Sequence, residues 1–115
     1  MITDLSYLRE MSGNDIHFIR EMIDLFRDQV EEFTSTLPEL LERSDYERLS
    51  KTAHKAKSSV AVMGMTREAE MLKELETNAM KAENTDSYNH IINTFIERTG
   101  EALRELDEYL KNNGS

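Results

Sequence analysis

At 115 residues the chain is long enough for one hydrophobic core and too short for two. It contains no Cys, which removes disulfides, thiolate metal sites and Cys nucleophiles, and which suits an intracellular protein. A formal net charge of −9 argues against nucleic acid as a partner, because phosphate backbones require a concentrated positive face.

No apolar run approaches the length needed to cross a bilayer, and Met1-Ile2-Thr3-Asp4 lacks the charged and apolar regions of a signal peptide. A cytoplasmic protein without membrane contact is expected. One Pro, four Gly and few β-branched runs leave little room for sheet, so the whole chain is expected to be helical.

In chain order, Thr3 is placed to cap a short first helix with Leu5, Leu8 and Met11 on its apolar side. Ser12-Gly13-Asn14 breaks that helix, and Asn14 or Ser12 can cap the next. Ile16, Ile19, Ile23, Phe26, Val30, Phe33, Leu37 and Leu40 then follow three-four spacing, in a register that continues past Pro38. One long helix from about Asp15 to Arg43 is expected, kinked where the proline leaves the Thr34 carbonyl without its donor. Ser44-Asp45-Tyr46-Glu47 has capping-box spacing, with Ser44 as cap and Glu47 reaching back.

The third helix buries Tyr46, Leu49, Ala53, Ala56, Val60 and Met63, and ends near Gly64, a residue able to adopt positive φ. Thr66 can cap a fourth helix with Ala69, Leu72, Leu75 and Ala79 inward. Asn84-Thr85-Asp86-Ser87 reads as a turn with a cap. The last helix carries Tyr88, Ile91, Ile92, Phe95, Ile96, Ala102, Leu103, Leu106 and Leu110, then frays at Asn112-Asn113-Gly114-Ser115. Without repeats, low-complexity segments or linkers, residues 1–115 are expected to form a single all-α domain. Its architecture is an up-down-up-down four-helix bundle with a short additional N-terminal helix.

One histidine stands apart. At about 100° per residue, His54 falls roughly 130° from the centre of the third helix's buried stripe, on the side facing water. Lys57 and Ser58, three and four residues on, are its surface neighbours. A histidine titrates near about pH 6.5, so much of such a ring is neutral and nucleophilic in the cell. Lys51, Lys55 and Lys57 form the only local basic cluster. That spot suits one phosphoryl group or the acidic cleft of a protein partner, although surface lysines also serve solubility alone.

Ser50 and Ala61 are small residues on the same side and fit a flat docking floor. Met11 and Ile16 can add an apolar rim, because methionine adapts to varied surfaces. Met22, Met63, Met65, Met71 and Met80 read as packing. His17 and His90 are followed three residues on by Arg20 and Asn93 and lack a small-residue floor, so both read as structural or solvated. A di-metal bundle would use Glu-x-x-His. The residues three before His17, His54 and His90 are Asn14, Lys51 and Ser87, so no metal site is expected. Nor is there a Gly-rich phosphate loop, and the chain is not expected to bind ATP.

His54, Ala56, Lys57, Ser58, Ser59 and Gly64 together resemble the signature of histidine-containing phosphotransfer (HPt) domains. That signature is a His, a small or aliphatic residue two on, Lys three on, then small residues, and Gly ten on. The position after the lysine, often Gly in that family, is Ser58 here and is still small. The resemblance implies a phosphorelay carrier that takes a phosphoryl group on His54 Nε2 from a receiver-domain aspartate and passes it to another. Lys57 would offset the phosphoryl charge. Ser58 would keep the surface low for a partner's cleft, with a hydrogen bond to the imidazole or phosphoryl as a second role.

The implied partners are response-regulator receiver domains and a hybrid histidine kinase, with Mg²⁺ belonging to the receiver and no cofactor on this chain. A monomer is expected, and Met1 and the polar tail lean toward a free-standing protein. The alternative is a helical adaptor that binds a receiver or another protein without carrying phosphate. The intact His54-Lys57-Ser58 set favours the carrier.

Overall fold

The apolar stripes of the sequence are the faces that pack. The computed structural model describes residues 2–113. It contains α1 (Ser6–Ser12), α2 (Ile16–Glu42), α3 (Tyr46–Val62), α4 (Thr66–Lys81), a 3₁₀ turn (Thr85–Ser87) and α5 (Tyr88–Asn113), with no strand among the described residues. Helix α2 packs against α3, α3 against α4, α4 against α5, and α5 returns to α2, while α1 lies on α2. Phe26, Leu37, Leu49, Leu72, Leu75, Ile92 and Leu106 from all four long helices meet in one buried core.

Helix α2 runs through Pro38 without interruption. The proline lacks an N–H to donate to Thr34, yet Phe33, Leu37 and Leu40 on either side are buried, and tertiary packing holds the segment helical. At the C-terminus, Asn112 and Asn113 belong to α5 rather than to a frayed tail, with Asn113 Nδ2 donating to the Tyr109 carbonyl at 2.9 Å. Gly114 and Ser115 lie outside the described residues.

The helix caps differ from the sequence reading by one residue in a consistent way. Asp15, not Asn14 or Ser12, caps α2 by accepting from the His17 and Phe18 N–H groups. Asp45, not Ser44, caps α3 by accepting from Arg48 N–H, so the Ser44–Glu47 box does not form. Asn14 and Ser44 are spent on the turns themselves, at φ 65° and 54°, and the carboxylate that follows each takes the cap. Thr66 is the first residue of α4, whose N-cap Met65 makes no side-chain bond.

Thr3 also caps nothing. Its N–H and hydroxyl both donate to Glu105 Oε1 on α5, at 3.1 and 3.0 Å, and Ile2 N–H donates to Glu105 Oε2 at 2.8 Å. Asp4 N–H donates to the Met63 carbonyl at 2.9 Å. Residues 2–5 therefore form a strap from α5 to the α3–α4 turn, with Thr3 and Leu5 buried beneath it. Burial alone would raise the Glu105 carboxyl, but the three hydrogen bonds outweigh it and hold the group below the ordinary glutamate value.

Gly64 makes the strap possible. Its φ is +72°, and a Cβ added there would lie 2.3 Å from the Asp4 carbonyl oxygen. Gly64→Ala is expected to lose about 2 kcal/mol or more, through left-handed strain and displacement of the strap. Gly100, mid-helix with nothing within 4 Å of an added Cβ, is the contrasting site. Gly100→Ala is expected to gain about 0.5–1 kcal/mol from helix propensity. Urea unfolding of both variants checks the pair.

Candidate functional site

Helices α3 and α4 form the site, and a buried hydroxyl sets their register. Ser50 is 3 % exposed, and its Oγ donates to the Glu76 main-chain carbonyl at 2.8 Å. This corrects the docking role expected of Ser50. Lying about 100° from the buried stripe, it falls on the flank that α4 covers. Fixing the Glu76 backbone beside Ser50 places the Glu76 carboxylate one turn further along α3, against His54 and Lys57.

That carboxylate is shared. Glu76 Oε2 lies 3.0 Å from His54 Nδ1, and Oε1 accepts from Lys57 Nζ at 3.0 Å. An ionised carboxylate only accepts, so the contact requires the proton on Nδ1. In the neutral ring the lone pair is then on Nε2. The imidazole stays accessible, with its side chain 58 % exposed, whereas Lys57 and Glu76 are 27 % and 21 % exposed. Partial burial would raise the Glu76 carboxyl, but hydrogen bonds from Lys57 and His54 and their charges hold it below the ordinary glutamate value. Chemically the arrangement is a fixed, exposed nitrogen nucleophile with a carboxylate behind it and an ammonium beside it.

The Ser58 hydroxyl turns back to the His54 carbonyl at 3.5 Å and makes no bond to the imidazole, so of its two expected roles only the low profile is visible. The basic cluster is partly spoken for. Lys57 pairs with Glu76, and Lys51 pairs with Glu47 at 3.4 Å. Lys55 and Ala61 are exposed on the helix surface. Met11 is exposed on α1. Ile16 is half-buried at the start of α2, lining a hollow with Arg9, Asn14, Tyr109 and Asn113, and is not brought to His54. Met80, read as packing, is instead 72 % exposed, while Met63 and Met65 are buried. His17 and His90 are both exposed.

On the other side of Ser58 an apolar groove of about 210 Å³ opens between α2 and α3, lined by Met22, Leu25, Phe26 and Val62 together with Ser58 and Ser59. Leu25 is half exposed on its wall. Sequence reasoning missed both this groove and Glu76. Glu76 follows Leu72 by four residues and so flanks the inward stripe of α4, but nothing short of the α3–α4 register distinguishes it from Glu70 or Glu74.

A family model described as Hpt domain matches residues 21–112, most of the chain. No curated protein and no solved structure matches.

Nitrogen-15 spectra of the protein at a pH where His54 is neutral are expected to show the Nδ1–H tautomer. In Glu76→Ala, the Nε2–H form ordinarily favoured by histidine should dominate. The carboxylate also links the site to acid stability. Because its value is depressed by folding, its contribution is present above the ordinary glutamate range and is lost as pH falls through the lower folded value. Glu76→Gln should remove that component from the acid limb of a denaturation profile.

Proposed function

The chain belongs to the Hpt domain family, and from that premise we propose that His54 is its phosphoacceptor. Hpt domains act in phosphotransfer within two-component phosphorelays. They are phosphocarriers that work with receiver domains and histidine kinases rather than through an ATP site of their own. The observation that carries the assignment to His54 is the hydrogen bond from Nδ1 to Glu76, which leaves the Nε2 lone pair on an exposed ring. His17 and His90 have no lysine one turn on, with Arg20 and Asn93 in that place.

In the proposed reaction a receiver aspartyl phosphate is presented to Nε2. The Nε2–P bond forms as the P–O bond breaks, the aspartate leaves as carboxylate, and the Nδ1 proton stays on the ring. The reverse step delivers the group to a second receiver. Mg²⁺ and most of the catalytic groups would come from the receiver. Lys57, whose ammonium has three N–H donors, would offer one to the phosphoryl oxygens as charge builds there while keeping its bond to Glu76, the usual electrostatic contribution to such a transfer.

Docking is read onto the crest of α3 around Ser58, with the α2–α3 groove taking apolar residues beside the receiver's acidic cleft. Charge supports that face. Residues 43–82 carry eight Lys or Arg against six Asp or Glu, while the remainder carries six against seventeen. The scaffold behind it is read as an up-down-up-down four-helix bundle in one domain, with α1 at one end, acting as a cytoplasmic monomer. No helix among the described residues is long and apolar enough to cross a membrane.

Incubation with a phosphorylated receiver should label the chain with an acid-labile, base-stable phosphoryl group. His54→Gln should abolish the label while leaving helicity by circular dichroism unchanged, because the ring lies off the core. Label that survives acid and not alkali would favour the adaptor reading. Lys57→Ala should slow transfer by about ten- to a hundredfold without unfolding the protein. Ser58→Leu should raise a side chain on the docking crest and block transfer; normal transfer by that variant would remove the steric role of Ser58.

A further inference from the structure

We propose that Glu76 sets how firmly His54 holds a phosphoryl group, as a positioning residue whose charge biases the transfer equilibrium toward the histidine. The inference rests on His54 being the phosphoacceptor. A neutral imidazole with its proton on Nδ1 has only a dipole to offer the carboxylate 3.0 Å away. Once Nε2 is bonded to phosphorus and the Nδ1 proton remains, the ring is an imidazolium, and the same contact becomes a charge-assisted hydrogen bond. Glu76 therefore favours the phosphorylated state over the free one, which is what an equilibrium bias requires.

Lys57 makes the bias depend on a carboxylate in particular. Its ammonium occupies Oε1, keeping the group ionised and fixing which oxygen faces the ring. A glutamine has the same shape but one acceptor. Facing its oxygen to Lys57 turns its NH₂ toward Nδ1, where it opposes a ring proton. Glu76→Gln therefore removes the preference for the phosphorylated ring without changing volume.

Phosphoramidate tests this without any receiver. Its P–N bond breaks as Nε2–P forms, ammonia leaves with the electron pair, and the step reverses in excess ammonium. In a His17→Gln, His90→Gln background the phosphorus-31 signal reports His54 alone. The ratio of phosphorylated His54 to phosphoramidate is read at equilibrium, at fixed ammonium and neutral pH. Replacing Glu76 with Gln should lower the ratio about tenfold, the scale of one charge-assisted bond discounted for a half-exposed ring. Glu76→Ala should lower it in the same direction, and the wild-type phosphorylated ring should show a protonated Nδ1 by nitrogen-15 shift.

Equal ratios, with only the approach to equilibrium slowed, would reduce Glu76 to a holder of the ring and overturn the proposal. So would a wild-type His54 that accepts nothing from phosphoramidate. A receiver that fails to exchange phosphate with a protein showing the expected ratios would sink the relay assignment and leave this inference standing.

Discussion

One carboxylate on α4 holds two groups on α3, and the site exists only while those helices keep their register. The Ser50 hydroxyl, buried against the Glu76 carbonyl, is the local pin. Ala53, Ala56 and Ala79 are buried in the same pair of helices, and small side chains there let the backbones approach closely enough for a serine to bridge them. A slip of one residue would turn Glu76 by about 100° around α4 and leave both Lys57 and the imidazole without their partner.

That arrangement divides the labour between packing and chemistry. The His54 ring contributes nothing to the core, so the bundle is free to hold it in water without an unsatisfied buried group. Side chains that are buried and polar are bonded elsewhere. Thr99 bonds back to the Phe95 carbonyl at 2.7 Å, and Glu68 takes Arg98 Nε at 3.1 Å. At the opposite end from the strap, Tyr46 and Tyr88 meet edge to face at 5.6 Å, and the Tyr88 hydroxyl donates to the Glu83 carbonyl. Both ends of the bundle are closed by specific contacts, and the middle of α3 is left to present the His54 ring to solvent.

Periodicity made most of the helices legible, because an apolar stripe at three-four spacing is itself the packing face. It carried α2 through Pro38 and set the buried side of α3, and so the outward aspect of His54. Caps were less legible. Asn14 and Ser44 each have the chemistry of a cap, and only backbone geometry shows that the turn uses them and passes the cap to Asp15 and Asp45. Ser50 and Met80 were misplaced for a related reason. Both border a stripe, where burial depends on how far the neighbouring helix reaches around. Glu76 was invisible because its importance lies in what it faces across a helix pair, and a one-dimensional pattern holds no information about that.

The strap of residues 2–5 bears on where this domain ends. The family match starts at residue 21, within α2, yet Leu5 and Leu8 are buried in the common core and Glu105 on α5 is bonded to the Ile2 and Thr3 backbone. A fragment trimmed to the matched span would expose the underside of α5 and the Met63–Met65 turn, and would lose the first turn of α2 along with its cap. For this chain the unit that can be cut out, transplanted or fused to another protein begins ahead of α1, and any junction made upstream must leave the two amide groups on Glu105 free to bond.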